Sequence, residues 1–369
     1  MKIVFDLTPL NDHLTGVERY NMNITKSIIL HHPEDEYVLL FKNEIHAAFK
    51  EIADQSNVTY KILPECNKLL FIQLRLLFTV KKIKADYYVF LSFTSPVFLR
   101  KGRLINAIHD LTCWDCPETI PLKMVLYYRI TYKIAVRRSW KIVTVSNFSQ
   151  KRICQRYSLP KSKVPVIYDG LTNIFRYHSE TNNLNIKYQL PDEYLLSLST
   201  VEPRKNLKLL IMAYKELIEE GHLLPKLVLA GRRGWKTREI LDDIPENVRS
   251  RICFTGFIND NDLPQIYKDS KLFIFPSKYE GFGLPPLEAM SQGTLVLSSD
   301  AASLPEVIGE GGVLFKSDDI GSLKKKLLYC LNMDKGTKLK ITQIGIARAY
   351  EFNWEKEAEK LYGYMNSEL

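Results

Sequence analysis

The feature that most restricts the fold of this chain is a regular alternation of short apolar segments with longer helical patterns, repeated in two successive runs. The first run predicts strands at residues 3–7, 37–41, 87–91, 104–108 and 141–145. The second run predicts strands at residues 194–199, 226–230, 251–254, 271–275 and 294–298. Strands that alternate with helices form parallel sheets. The sequence therefore predicts an α/β protein with two doubly wound domains.

The division into two domains also follows from length, because 369 residues exceed what one hydrophobic core usually serves. Polar, non-periodic sequence at residues 169–191 predicts a linker, so the first domain is expected at 1–170 and the second at 190–350. A last helix within 351–369 has no strand after it and is expected to pack back onto the first domain. A cleft between two such domains is the expected binding site.

The composition is that of an ordinary globular protein, with 46% hydrophobic and 25% charged residues. No apolar run reaches the roughly 18 residues of a membrane span, and the first residues predict a strand rather than a signal peptide, which favours the cytoplasm. The six cysteines are scattered and are expected to be reduced thiols. Cys113 and Cys116 have the spacing of half a zinc ribbon or of a redox pair. Because no second pair accompanies them, ordinary thiols are the favoured interpretation.

The strongest functional signal is the segment Glu280-Gly-Phe-Gly-Leu-Pro-Pro-Leu-Glu288, which follows the predicted strand at 271–275. Gly281 and Gly283 have no Cβ atom, so the backbone there can approach a ligand closely and adopt positive φ. Pro285 is suited to the first turn of a helix, whose free N–H groups and positive dipole end point into the same space. Loops at the carboxyl ends of parallel strands bind ligands, and this one is predicted to bind an anion such as a diphosphate.

Two further groups of polar residues accompany this segment. Arg204 and Lys205 follow strand 194–199 and precede a helix, a position suited to a diphosphate; the alternative is an ordinary surface pair. Glu288 lies in the helix after the glycines, where a carboxylate can accept hydrogen bonds from a ribose diol. The alternative for Glu288 is an exposed helix residue.

Three weaker signals lie elsewhere in the chain. His109 and Asp110 follow the fourth predicted strand, where the histidine can position or polarise a sugar hydroxyl, or can hold a turn together with Asp110. Gly16, after a polar loop, offers backbone N–H groups from the first domain. Asp260 and Asp262 resemble a metal-binding acid pair, but they directly precede a helix. Capping of that helix is the simpler interpretation, and no metal is expected.

The formal net charge of +9 is distributed unevenly. Residues 122–141 include six basic residues and no acidic one, and Arg129, Lys133 and Arg137 recur every four residues. A second basic, apolar stretch spans residues 69–84. Such segments suit an anionic membrane surface; the alternatives are a solvated helix face and a generic anion pocket. Nucleic acid is disfavoured, because no recognised binding motif accompanies the charge.

Taken together, these segments resemble the retaining glycosyltransferases of family 4, which have the GT-B fold of two Rossmann-like domains facing a central cleft. The resemblance spans almost the whole chain. The segments that carry it are Thr15-Gly16-Val-Glu-Arg19, Val145-Ser-Asn-Phe-Ser149, Glu202-Pro-Arg-Lys-Asn206, Thr255-Gly-Phe257, the two glutamates Glu280 and Glu288, and Ser303-Leu-Pro-Glu306. One departure is that related chains often have two glycines where this chain has Thr15-Gly16.

The resemblance implies transfer of a sugar from a nucleotide diphosphate sugar to an acceptor hydroxyl, with retention at the anomeric carbon and with neither an obligatory metal nor another cofactor. It implies a catalytic group of Glu280, Arg204, Lys205 and His109, in which the two cations bind the diphosphate, Glu280 holds the donor sugar and His109 contacts the sugar hydroxyls. Glu288 is implied to bind the ribose. The other implied donor-binding residues are Gly16, Thr255, Gly256, Phe257, Gly281, Phe282, Gly283 and Leu284.

The segments Leu284-Pro-Pro-Leu287 and Ser303-Leu-Pro-Glu306 look most like those of bacterial mannosyl- and rhamnosyltransferases of surface polysaccharide assembly. The resemblance therefore favours GDP-mannose as donor and a glycan or lipid-linked oligosaccharide as acceptor, at the inner face of a membrane. The alternatives are rhamnosyl or glucosyl transfer from a dTDP- or UDP-sugar. Outside this class, a sugar-nucleotide epimerase, a glycogen-type synthase and a non-catalytic nucleotide-sugar-binding module remain open.

Overall fold

The structure is a computed structural model that describes residues 1–11, 14–65, 71–177, 183–234, 237 and 244–367. Some of the predictions fall outside the described residues: Cys66, residues 69–70 of the second basic stretch, residues 12–13 of the loop before Gly16, and residues 178–182 of the predicted linker. The chain forms two compact units. The first consists of Met1–Asp115, Leu122–Gly170 and Asn353–Leu369, and the second of Cys116–Pro121 and Leu171–Phe352.

The first unit is built on a parallel sheet whose described strands have the order β3-β2-β1-β4-β5-β6. The strands are β1 (Lys2–Asp6), β2 (Glu36–Lys42), β3 (Val58–Leu63), β4 (Tyr87–Phe90), β5 (Arg103–Ala107) and β6 (Lys141–Val143). The helices of this unit are α1 (Gly16–His31), α2 (Lys50–Ala53), α3 (Leu77–Lys82), which continues a π-helical segment Phe71–Leu76, α4 (Thr112–Asp115), α5 (Leu122–Arg138), α6 (Asn147–Tyr157) and the last helix, α16 (Trp354–Asn366).

The second unit repeats this architecture with the strand order β12-β11-β10-β7-β8-β9. Its strands are β7 (Tyr194–Leu198), β8 (Lys226–Ala230), β9 (Ile252–Gly256), β10 (Leu272–Phe275), β11 (Val296–Ser299) and β12 (Val313–Phe315). Its helices are α7 (Asn173–Arg176), α8 (Leu184–Tyr188), α9 (Leu207–Glu219), α10 (Glu246–Arg249), α11 (Leu263–Asp269), α12 (Leu284–Ser291), α13 (Leu304–Ile308), α14 (Ile320–Leu331) and α15 (Lys335–Glu351). Both sheets have the doubly wound strand order, which confirms the predicted fold class.

Two of the described strands, β3 and β12, were not predicted, and both are edge strands. The middle four residues of β3 are exposed, so its sequence Val-Thr-Tyr-Lys-Ile-Leu lacks the continuous apolar pattern of the interior strands. Strand β12 has three residues, which is too short for a periodic signal. The interior strand β10, with the sequence Leu-Phe-Ile-Phe, is buried throughout, as predicted for a central strand of a parallel sheet.

Helix α16 is attached to the first unit by both backbone and side-chain contacts. The Tyr87 hydroxyl donates to the Met365 carbonyl over 2.6 Å, and the Tyr168 N–H donates to Glu357 Oε2 over 2.9 Å. The Tyr362 ring stacks on the ring of His32 with 3.4 Å between the ring centroids. Among the described residues, no helix combines the length and the apolar character that crossing a bilayer requires.

Candidate active site

The candidate site lies where the winding direction of the second sheet changes, between the neighbouring strands β7 and β10. In a doubly wound sheet, the loops after these two strands lead away in opposite directions and leave a crevice at the carboxyl edge, where ligands bind. The loop after β7 carries a 3-10 turn, Pro203–Lys205, before α9. The loop after β10 carries Glu280 and the glycines before α12. Topology therefore brings together two segments that are about 75 residues apart in sequence.

The two cations after β7 are ion-paired with the glutamate after β10. Arg204 Nη1 lies 2.8 Å from Glu280 Oε2, and Lys205 Nζ lies 2.7 Å from Glu280 Oε1. Arg204 also donates to the Tyr279 carbonyl over 2.9 Å and pairs with Glu202 over 3.1 Å. The alternative of an ordinary surface pair is wrong, because the side chains of Arg204 and Lys205 are only 18% and 13% exposed.

The pKa values of the residues in this cluster depend on burial and on the neighbouring charges. Burial opposes the charged form of Glu280, but the adjacent Arg204 and Lys205 overcome that effect and lower the pKa of Glu280 to about 2. Burial, followed by repulsion from Arg204, lowers the pKa of Lys205, and the contact with Glu280 opposes that shift. The formal charges of the two cations and of their two carboxylate partners cancel. A diphosphate that binds here must therefore compete with Glu280 for the cations.

Two buried serines hold the glycine loop in place. The Ser277 hydroxyl donates to Glu280 Oε1 over 2.5 Å, and the Ser303 hydroxyl lies 2.9 and 2.7 Å from the carbonyls of Glu280 and Phe282. Ser303 belongs to a segment that carried the family resemblance, but no sequence signal indicated its contact with this loop. The serines thus fix both the carboxylate of Glu280 and the backbone that leads into α12.

Of the two glycines in this loop, only Gly283 has the predicted positive φ, with a value of 123°. A Cβ atom on Gly283 would lie 2.8 Å from Leu304 Cδ2, so the position favours glycine both sterically and conformationally. The expectation for Gly281 was wrong, because Gly281 is not among the glycines with positive φ. Gly283 precedes Leu284, the first residue of α12, and a proline in the first turn confirms the predicted start of this helix.

Glu288 is buried within α12 and is 7% exposed, so the alternative of an exposed helix residue is wrong. Its Oε2 atom accepts a hydrogen bond from the Tyr267 hydroxyl over 3.0 Å. Tyr267, on α11, is fully buried. This partner was missed by the sequence interpretation, because no pattern indicates which buried tyrosine of one helix will contact the next helix.

Thr255, Gly256 and Phe257, which were predicted to lie near the base of the nucleotide, are found at the end of β9. They lie at the same carboxyl edge of the sheet, two strands away from β7. Gly256 has a φ of 69°. The Phe257 ring is 49% exposed, and the Arg232 guanidinium lies over it at 4.4 Å from the ring centroid. Arg232 follows β8 and was not predicted. An exposed aromatic ring beside a guanidinium offers a flat surface on which a base can stack.

Gly16 and His109 belong to the first unit, where both lie at the carboxyl edge of its sheet. Gly16 begins α1, whose start is capped by Glu18, which accepts hydrogen bonds from the N–H and hydroxyl of Thr15. His109 Nε2 lies 2.7 Å from the Leu91 carbonyl, which requires the proton on Nε2 and leaves Nδ1 as an acceptor. Burial lowers the pKa of His109, so the imidazole is neutral at pH 7.

The predicted capping role of Asp262 is wrong. Asp262 makes no side-chain capping bond to α11, and Asn259 caps the preceding 3-10 turn instead. The Asp262 carboxylate accepts hydrogen bonds from Lys187 over 2.7 Å and from the Tyr188 hydroxyl over 2.6 Å. A buried carboxylate is stabilised more by a cation and a hydroxyl than by two backbone N–H groups at a short helix. No group of three potential metal ligands occurs within the described part of the chain.

The predicted basic stripe on α5 is only partly a free surface. Arg129 points inward: its Nε donates to the Cys113 carbonyl over 2.9 Å, and its guanidinium lies 4.2 Å from the Trp114 ring centroid. Lys133 and Arg137 are exposed, as predicted. Cys113 and Cys116 do not form a disulfide bond, and burial raises the pKa of Cys113 to about 12, which makes it a poor nucleophile or metal ligand.

The chain is similar to known glycosyltransferases in both sequence and fold. A family model described as "Glycosyl transferases group 1" matches residues 182–346. The chain is 30% identical to O-antigen chain mannosyltransferase B of Escherichia coli over 369 residues, which covers 96% of this chain and 97% of the relative. It is 40% identical over 179 residues to the serotype-specific mannosyltransferase WbdA of Escherichia coli, which covers 48% of this chain and 22% of WbdA.

Among solved structures, Anabaena Alr3699/HepE in complex with UDP-glucose matches the whole of both chains with a TM-score of 0.75 and 19% identity. The two doubly wound sheets and these matches define a glycosyltransferase of the GT-B fold, and the chain belongs to the group 1 glycosyl transferases. Within that family, an O-antigen chain mannosyltransferase is similar to it over nearly the full length of both proteins.

Proposed function

We propose that this protein transfers a mannosyl residue from GDP-mannose to a glycan or lipid-linked oligosaccharide in the assembly of a surface polysaccharide, as a retaining glycosyltransferase of family 4. The observation that carries this proposal is the buried cluster of Arg204, Lys205 and Glu280 at the edge of the second sheet. The similarity to O-antigen chain mannosyltransferases supports mannose and supports a polysaccharide product.

The cluster suits a reaction in which a diphosphate leaves. When the bond between the anomeric carbon and the diphosphate breaks, the electron pair and the negative charge pass to the diphosphate. A new bond forms to the acceptor oxygen, whose proton passes to an oxygen of the departing diphosphate. Arg204 and Lys205 already lie at this edge before the reaction, so they stabilise this charge once the diphosphate has displaced Glu280 from them. Because two cations are present, we propose that transfer needs no metal; activity in the presence of EDTA tests this point.

The surrounding residues are proposed to bind the rest of the donor. Glu280, released from the cations, contacts the donor sugar, and His109 Nδ1 accepts a hydrogen bond from a sugar hydroxyl. Glu288 accepts hydrogen bonds from the ribose. The backbone N–H groups around the start of α12 and of α1 are proposed to contact the phosphates, through Gly16, Gly281, Phe282, Gly283 and Leu284. The base is proposed to lie against Thr255, Gly256 and Phe257.

The first unit is proposed to contact an anionic membrane surface that carries the acceptor. Helix α5 exposes Leu122, Leu126 and Ile130, which are 72%, 53% and 58% exposed, together with Lys133 and Arg137. Apolar side chains interspersed with cations are typical of helices that lie at an interface with anionic lipid. This surface supports a lipid-linked acceptor over a soluble one.

The test is a transfer assay with GDP-mannose, UDP-glucose and dTDP-rhamnose as donors and an isolated lipid-linked O-antigen precursor as acceptor. We expect transfer from GDP-mannose, with the product anomer identical to that of the donor by NMR. Transfer from one of the other donors alone would overturn the mannose assignment. Binding of a nucleotide sugar without any transfer would favour the non-catalytic alternative, and change of the free nucleotide sugar would favour an epimerase.

A further inference from the structure

The hydrogen bond between Tyr267 and Glu288 carries an inference about donor selectivity. Both side chains are buried, at 0% and 7% exposure, and the Tyr267 hydroxyl donates to Glu288 Oε2 over 3.0 Å. The two residues lie on different helices, α11 and α12, so the bond fixes the carboxylate from outside its own helix. A tyrosine hydroxyl has one proton, and that proton is committed to Glu288.

The position of the Tyr267 hydroxyl is itself well determined. Its ring packs edge-on against Phe273 at 5.2 Å between centroids and contacts the ring of Phe175 at 6.1 Å. Its backbone carbonyl accepts hydrogen bonds from the hydroxyls of Thr294 over 2.6 Å and Ser270 over 2.7 Å. A buried aromatic ring held on several sides has little rotational freedom, so it presents the hydroxyl to Glu288 in one orientation.

The chemical consequence concerns the ribose. A carboxylate has about four lone-pair sites, so the bond from Tyr267 orients Glu288 and leaves it able to accept further hydrogen bonds. A site built to hydrogen-bond a substrate hydroxyl rejects an analogue that lacks it, because the buried acceptor is then left unpaired.

We infer that Tyr267 is a positioning residue for Glu288, and that the pair makes the enzyme select donors with an intact ribose over donors with a deoxyribose. This inference rests on the proposed ribose-binding role of Glu288. It separates two donor classes that the sequence left open, because GDP- and UDP-sugars contain ribose whereas dTDP-sugars contain 2′-deoxyribose.

The experiment measures binding of nucleoside diphosphates by calorimetry to the wild-type protein and to the variants Tyr267→Phe, Glu288→Gln and the double variant. The probe is whichever of GDP, UDP, ADP and CDP binds the wild-type protein most tightly, together with its 2′-deoxy and 3′-deoxy forms. The matched control is Tyr194→Phe, which removes a buried hydroxyl that donates to the Ile266 carbonyl over 2.8 Å on the same helix, without contacting Glu288.

We expect the wild-type protein and Tyr194→Phe to bind the ribonucleotide at least tenfold more tightly than one of the deoxy forms. We expect Tyr267→Phe to reduce this ratio to about threefold or less by weakening ribonucleotide binding, with deoxynucleotide binding nearly unchanged. The double variant should lose no more selectivity than Glu288→Gln, because the two residues act as one unit. In transfer assays, Tyr267→Phe should raise the donor KM and leave kcat within about twofold.

The possible failures are distinguishable. If Glu288→Gln keeps the wild-type selectivity, the proposed ribose-binding role of Glu288 is wrong and the inference fails with it. If Glu288→Gln loses selectivity but Tyr267→Phe keeps it, only the positioning role of Tyr267 is overturned. If Tyr194→Phe loses as much selectivity as Tyr267→Phe, the effect is one of general packing, and the inference is also overturned.

Discussion

At the carboxyl edge of each sheet, the position between β1 and β4 in the first unit is topologically equivalent to the position between β7 and β10 in the second. The residues at these two positions nevertheless differ in chemistry. In the second unit, the loops at this edge are joined by ion pairs of Glu280 with Arg204 and Lys205. In the first unit, Asn21 joins them through hydrogen bonds to the Asp6 carbonyl over 2.8 Å and to the Ser92 hydroxyl over 2.9 Å. The same strand order therefore accompanies a buried ion-paired cluster in one unit and a neutral amide bridge in the other.

The acidic residues at the two edges differ in the same way. Asp6 is buried and accepts hydrogen bonds from the N–H and hydroxyl of Thr8, and burial raises its pKa to about 6. The pKa of Glu280 is lowered to about 2, although burial opposes this, because two cations are adjacent. The comparison teaches that strand order determines where a ligand can bind, whereas the charges on the loops determine which ligand it is.

The largest expected effect comes from removing the cations that distinguish the second edge. Replacement of Arg204 and Lys205 with alanine should lower kcat/KM for transfer by roughly a thousandfold or more, because the departing diphosphate loses its stabilisation. Steady-state kinetics measures this loss, with circular dichroism as a check on folding. The matched control is Lys208→Ala, an exposed lysine three residues further along, which should retain wild-type activity. If the double variant kept wild-type activity, Arg204 and Lys205 would not give the second unit its distinct chemistry.

The second expectation is that the stability contributed by Asp6 and the stability contributed by Glu280 change with pH in opposite directions. The folded-state pKa of Asp6 is raised from 3.8 to about 6. Its contribution to the free energy of unfolding is therefore present below pH 3.8 and is lost as pH rises through 6. The folded-state pKa of Glu280 is lowered from 4.5 to about 2, so its contribution is present above pH 4.5 and is lost as pH falls towards 2. Each contribution is on the order of 3 kcal/mol over its window.

Chemical denaturation across pH tests this expectation. The difference in the free energy of unfolding between wild type and Asp6→Asn should fall from pH 4 to 7. The difference between wild type and Glu280→Gln should rise from pH 2.5 to 5. Parallel pH profiles for the two variants would show that the two carboxylates lie in similar environments.

The third expectation concerns the surface of the first unit. Replacement of Lys133 and Arg137 with glutamine should weaken binding to anionic vesicles by about tenfold or more, since each basic residue near such a surface contributes roughly 1 kcal/mol. Co-sedimentation with anionic and neutral vesicles measures the effect, and high salt should weaken binding by screening. The matched control replaces Lys325 and Lys340, two exposed lysines of the second unit, with glutamine. If the control variant lost as much vesicle binding, the effect would come from the net charge of the protein rather than from the basic stripe on α5.

The smallest expected effect would sharpen the role of Glu280 as a partner of the cations. Glu280→Gln should bind the nucleoside diphosphate several-fold more tightly, because the anion no longer competes with a carboxylate for Arg204 and Lys205. The same variant should transfer more slowly, since the proposed contact with the donor sugar is weakened. Calorimetry and initial rates on one protein preparation measure both changes. Weaker diphosphate binding in the variant would contradict the competition between Glu280 and the ligand.

Sequence reasoning was most successful where the signal is local. The interior strands were predicted because parallel strands that are buried on both faces are continuously apolar, as in β10. The start of α12 was predicted because a proline suited to the first helical turn, closely preceded by a glycine, is recognisable within a few residues. The edge strands β3 and β12 were missed because an exposed or very short strand has neither pattern.

The residues of the candidate site were recognised one by one, but their bonding was not. The sequence marked Arg204, Lys205 and Glu280 as a group without indicating that the glutamate neutralises the cations. It assigned Asp262 to a helix cap and Arg129 to a free stripe, and both instead have specific partners from other segments. These contacts depend on which segments lie close together in the folded protein, and local sequence patterns do not show this.

Hydrophobic periodicity and residue type over short spans were enough to predict the α/β class, the interior strands and the chemical character of the loops. Which loops contact each other depends instead on the strand order of the folded sheet. Strands β7 and β10 are neighbours only because the sheet reverses its winding direction between them, and this reversal places Lys205 against Glu280. The burial of Glu288 against Tyr267 likewise depends on how α11 and α12 pack together in the tertiary structure.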